Sequence, residues 1–134
     1  MTEKKVFLDS PEAIERHLVH DLELESFDGN GVRLVLCDRR NQVLSHYHVC
    51  DAPTDVTIGQ CAHALRVLAQ RISVGRGGAI LVALMRPGPV ALTASDGHWF
   101  RAAHSVCAQR EVRLLGVHVV TPRGQREVVL DDVL

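Results

Sequence analysis

Residues Ala79-Ile80-Leu81-Val82-Ala83-Leu84 form an unbroken apolar run between Gly77-Gly78 and Pro87-Gly88-Pro89. A strand with one wet face alternates apolar and polar side chains. One that is apolar at every position must be covered on both faces, so the run predicts the central strand of a layered sheet. Continued to Met85, it is still far shorter than the roughly 20 residues a bilayer crossing needs. The rest of the chain therefore has to supply the cover, and with 134 residues at 46% hydrophobic it holds enough apolar surface for one core of ordinary size. We expect a single domain over residues 1–134.

Helix and strand signals fall on either side of that run. Ser10-Pro11-Glu12 begins a helix expected over residues 10–24, since serine caps free N–H groups and proline at the first helical position gives up a donor without a partner. Its apolar positions are Ile14, Leu18 and Leu22, and Asp28-Gly29-Asn30-Gly31 is a turn. Val32 to Cys37 and Gln42 to Cys50 read as an antiparallel hairpin around Asp38-Arg39-Arg40-Asn41. Ile58, Cys61, Ala62, Leu65, Leu68, Ala69 and Ile72 share a helical face behind a Thr57 cap. A last long helix is expected from about Gly97 to Leu115 with Gly116 as its C-cap. Val117 to Val120 and Glu127 to Leu130 are then closing strands around Pro122-Arg123-Gly124. The expected class is α/β, a mixed sheet packed by helices, in the order α-β-β-α-β-α-β-β, with the first helix as an added element.

Charge and cysteine usage narrow the function. Sixteen acidic residues stand against fifteen basic ones, so no global field draws the chain to nucleic acid or to an anionic membrane, and neither is an expected partner. Only Val6, Phe7 and Leu8 separate Lys4-Lys5 from Asp9, too little for the apolar core of a signal peptide. Cys37, Cys50, Cys61 and Cys107 lie within apolar-periodic segments rather than loops, the pattern of buried thiols in a reducing compartment. A cytoplasmic protein is expected.

Four segments in order resemble the RadC-like branch of the JAMM/MPN (JAB-domain) metalloprotease fold, which shares its core with the cytidine deaminase-like proteins. Val35 to Leu44 (VLCDRRNQVL) resembles the family's first hairpin, of the type LDxxNRVL, and the helix from Ile58 to Ile72 occupies the place of the helix before its central strand. Ala79 to Pro87 (AILVALMRP) is similar to the family's AIILVHNHP, and Arg113 to Val117 (RLLGV) to its LLGI. In that family two histidines and an aspartate bind zinc, and an upstream glutamate polarises the metal-bound water. The two histidine positions match Leu84 and Arg86 here. A leucine has no lone pair to donate and a guanidinium stays protonated, so neither ligates zinc. Thr93 and Asp96 keep the family's SxxD spacing, and Asp96 is expected to pair with Arg86 across the former metal pocket. The resemblance thus implies a catalytically silent interaction or scaffold module, paired with another protein or with itself as a homodimer, with no catalytic residue and no cofactor. The alternative is a small anionic-ligand binder, or an enzyme, using a pocket rebuilt from Arg86, Thr93, Ser95, Asp96 and His98.

His46, His48 and Cys50 alternate along one strand and share a face. Successive members sit about 7 Å apart, too far for all three to reach one zinc at roughly 2.0 to 2.3 Å, so His63 or another ligand would have to converge with a subset. The ordinary reading is exposed histidines beside a packed cysteine. A zinc deaminase needs PCxxC, and the chain has no CxxC. His104 and Cys107 are spaced as an i, i+3 pair, yet a cysteine on an apolar helix face is held as an inert thiol. Gly75-Arg76-Gly77-Gly78 follows a helix and precedes a strand, the reverse of a phosphate cradle. Arg39-Arg40 and Arg123 with Arg126 sit in turns that would form a small basic patch if they were neighbours.

Overall fold

A computed structural model describes residues 5–21, 31–50, 55–71 and 77–129. Strands β1 (Gly31–Cys37), β2 (Val43–Cys50), β3 (Ala79–Met85), β4 (Arg113–Thr121) and β5 (Gly124–Glu127) form one mixed sheet in the order β2-β1-β3-β4-β5. β1 is antiparallel to both β2 and β3, β3 is parallel to β4, and β4 is antiparallel to β5. Helices α1 (Pro11–Arg16), α2 (Ile58–Arg71) and α3 (Ala94–Gln109) complete the described chain, and a π-helical turn, His17–Asp21, follows α1 directly.

The central apolar run is β3, and all seven of its residues are buried. Its side chains divide by parity. Ile80, Val82 and Leu84 pack with Val32, Leu34 and Leu36 of β1 under α2 and α3, against Cys61, Leu65, Trp99, Ala103 and Val106. Ala79, Leu81, Ala83 and Met85 pack on the other face with Val35, Val120, Leu8 and Leu18. Each fully buried Leu or Val there contributes about 1.5–3 kcal/mol. Both faces are therefore dry, and that is why the segment has no polar position.

Both long helices start on reciprocal caps. Thr57 Oγ1 accepts from the Gln60 N–H at 3.1 Å while Gln60 Oε1 accepts from the Thr57 N–H at 2.9 Å, and Thr93 and Asp96 make the same exchange at α3. Ser10 caps α1 through Ala13 N–H at 3.1 Å. In the β1–β2 hairpin, Asp38 Oδ1 accepts from the N–H groups of Arg40 and Gln42, and Asn41 takes the left-handed conformation at φ 64°.

Several boundaries differ from expectation. The first helix is α-helical only to Arg16 and continues as the π turn; positions 22–24 lie outside the described residues, as do 28–30 of the expected turn, Gly75-Arg76 and Ile72. α3 ends at Gln109 rather than Leu115. Arg113 and Leu114 leave the helix to pair with Ala79 and Ile80 of β3, so a parallel ladder wins over a helical periodicity that Leu114 alone extends. Gly116 is consequently not a C-cap. It lies inside β4 where the register with β3 shifts by one residue, at φ 153°, and a Cβ there would come within 2.9 Å of His118 Nε2. β5 begins at Gly124, three positions before the expected strand, because Gln125, Arg126 and Glu127 complete the β4 ladder; Leu130 is outside the described residues. Among the described residues no helix is long and apolar enough to cross a membrane.

Candidate functional site

The strand β3 delivers Arg86 to the start of α3. Its backbone N–H extends the parallel ladder to Val120 O, and its guanidinium meets Asp96 with Nη1 to Oδ1 at 2.7 Å and Nη2 to Oδ2 at 2.8 Å. Asp96 is 3% exposed in its side chain and Arg86 18%, so this bidentate pair is largely removed from water. Asp96 Oδ2 also accepts the Thr93 N–H at 2.8 Å, and Arg86 Nη2 reaches Ala91 O. The hydrogen bonds to Asp96 hold the guanidinium in its charged form, pushing its pKa above the ordinary arginine value against the opposing effect of burial. One carboxylate thus closes the helix cap and clips α3 to β3.

The other two residues of the expected pocket turn elsewhere. Ser95 Oγ accepts the Val56 N–H at 3.5 Å, and His98 Nδ1 lies 2.6 Å from Val56 O. A carbonyl oxygen only accepts, so His98 carries its proton on Nδ1. These bonds fasten the entry of α2 to the first turn of α3. All five residues gather around one helix end, where these bonds serve capping, clipping and fastening. Leu84 is 4% exposed and packs in the core beneath the same helix.

The histidines group differently from any sequence-based expectation. His46 lies on the face of β2 shared with Val35, whereas α2, which carries His63 in an exposed position, covers the opposite face. His63 therefore does not converge with His46. His17 does: its Nε2 is 2.9 Å from His46 Nε2, with the rings stacked at 5.1 Å and 19°. His17 is 3% exposed, and a position 29 residues from its partner inside a predicted helix gave no signal. His48 Nδ1 accepts from Arg33 Nε at 3.3 Å, and burial followed by the Arg33 charge lowers its pKa. The side chain of Cys50 lies outside the described residues. Among the described residues no three His, Cys, Asp or Glu side chains are placed to hold a metal ion.

Cys107 is buried, and burial pushes its thiol up to about 11; exposed His104 instead packs its ring on Phe100 at 4.5 Å. The two arginine turns do not adjoin. Arg39-Arg40 follows β1 beside the start of β3, and Arg123 follows β4 beside the end of β3, so the sheet's full length separates them. Sequence reasoning also missed Arg113, whose guanidinium gathers three carbonyls, Gly77 O, Asp38 O and Arg39 O, at 3.0 to 3.2 Å. It ties the hairpin to the head of β3. The site and fold define an α/β domain with a carboxylate–guanidinium clip at the end of its central strand. Compared with protein-family models and with curated proteins, the chain matches none.

Proposed function

We propose that the chain is a catalytically silent domain of the JAMM/MPN fold, RadC-like, that works as a protein-interaction module in the cytoplasm, with a second copy of itself as first partner. The element order and the parallel β3-α3-β4 crossover support the cytidine deaminase-like core. The observation that carries the reading is the chemistry at the end of β3. Leu84 offers a buried hydrocarbon, and the Arg86 fork is filled by Asp96, so the two positions that resemble zinc-ligand histidines provide no lone pair. The same pairing works against an anion site on Arg86, because an incoming oxyanion would have to displace a bidentate carboxylate. Three buried free thiols, Cys37, Cys61 and Cys107, suit a reducing compartment.

Self-pairing is supported by β2. It is an edge strand with neither lysine, glutamate nor proline to blunt it, and Leu44, bulged out of register, is 58% exposed. Sedimentation equilibrium of the full chain tests the proposal. We expect a dimer, returned to monomer by Leu44→Lys with no change in the folded circular dichroism. A monomeric wild-type chain at high micromolar concentration would refute self-pairing.

A further inference from the structure

The face of the sheet remote from α2 and α3 carries a second group of ionisable side chains. A cleft of about 290 Å³ opens between the N-terminal segment, α1 and β2. Among the described residues, Lys5, Arg16, His17 and His46 form its polar wall, Val6, Phe7 and Ala13 its apolar one, and neither Asp nor Glu lines it. Among the described residues Lys5 and Arg16 are in no ion pair. Two cations therefore share a concave surface with no carboxylate among its described lining residues, and low-dielectric walls concentrate their field on whatever enters. The backbone is unusual at the same place. α1 gives way to the π turn at His17, and single π turns recur at functional sites.

We propose that this cleft binds a small organic phosphate, with the anionic head on Arg16 and Lys5 beside the His17–His46 pair and an apolar, ring-sized body against Phe7 and Val6. The arginine fork matches adjacent oxygens of a tetrahedral oxyanion, and lysine adds a point charge. Phe7, 38% exposed, offers an aromatic face that a purely inorganic ion would leave wet. The volume lies at the small end of ligand clefts and limits the body to about one ring. This site stands apart from the Arg86 clip, and its test is independent of metal content.

Phenyl phosphate, inorganic phosphate and phenol are titrated into the full chain while the ring carbon–proton resonances of His17 and His46 are followed by NMR, assigned with His46→Gln. Phenyl phosphate is expected to shift both rings saturably, inorganic phosphate to bind more weakly by about tenfold, and phenol to leave them unmoved. Arg16→Gln, an exposed substitution whose folding is checked by its melting temperature, should weaken phenyl phosphate by about tenfold. Unshifted rings at millimolar phenyl phosphate, equal affinity for inorganic phosphate, or undiminished binding by Arg16→Gln would each overturn the assignment.

Discussion

Replacing Arg86 with alanine isolates the clip that holds α3 on β3. The change leaves the Asp96 carboxylate, 3% exposed, with the Thr93 N–H at 2.8 Å as its partner among the described residues and removes two charge-assisted bonds of 2.7 and 2.8 Å. Removing one member of a buried ion pair costs about 3–5 kcal/mol, because the survivor keeps its desolvation penalty. Arg86 retains 18% exposure, so water screens one side of the pair and the lower figure, about 3 kcal/mol, applies. For a domain of this length that is a fall in melting temperature on the order of 10 °C. Calorimetry and urea unfolding measure it. The pair term itself comes from a cycle with Asp96→Asn, which keeps an oxygen for the Thr93 N–H: the double variant Arg86→Met with Asp96→Asn should be more stable than the sum of the single losses by about 2 kcal/mol. A loss under about 1 kcal/mol for Arg86→Ala, or a coupling near zero, would refute the clip as a stabilising device.

Three further outcomes are expected. Gly116→Ala should destabilise by about 1–3 kcal/mol in urea unfolding, since its Cβ would stand 2.9 Å from His118 Nε2 at φ 153°, whereas Gly88→Ala, strained at φ 96° but with open space around it, tests the backbone cost alone. Cys37, Cys61 and Cys107 are each pushed from 9.0 to about 11, chiefly by burial. The unfolded chain releases these protons first, so stability should hold below pH 9 and fall between pH 9 and 11, and native thiols should resist alkylation at pH 8. A flat melting profile across that window would contradict their burial. His118 has its pKa lowered from 6.5 mainly by burial, despite a 2.7 Å bond to Gln125 and the nearby Glu127. The unfolded chain then takes up the proton more readily, so stability should decline as pH falls below 6.5, and His118→Gln should remove part of that slope.

Much of the fold was legible because its signals are local or compositional. The run from Ala79 to Met85 announces a strand with two dry faces, and Ser10, Thr57 and the hairpin tetrad Asp38 to Asn41 declare their elements through their own side-chain bonds. The end of α3 was not legible. Leu114 fits a helical face as well as a strand, and the choice is made by β3, over 30 residues earlier in the chain. Gly116 misled for the same reason: a glycine after an apolar periodicity looks like a cap, while its actual requirement comes from the His118 ring two residues on. The Arg86–Asp96 pair was expected only through the family resemblance, which places both residues around one pocket. The meeting of His17 with His46, and of Arg113 with three carbonyls from two distant turns, depends on how the sheet is assembled, and no local pattern encodes it.

The central claim is that the end of β3 carries a carboxylate–guanidinium clip in place of metal-ligating side chains. Zinc content, counted by mass spectrometry after dialysis of the untagged chain against zinc and then a weak chelator, tests it most directly. The account predicts zinc far below one ion per chain, unchanged by Asp96→Ala; a tightly retained ion in every molecule, lost in that variant, would contradict it.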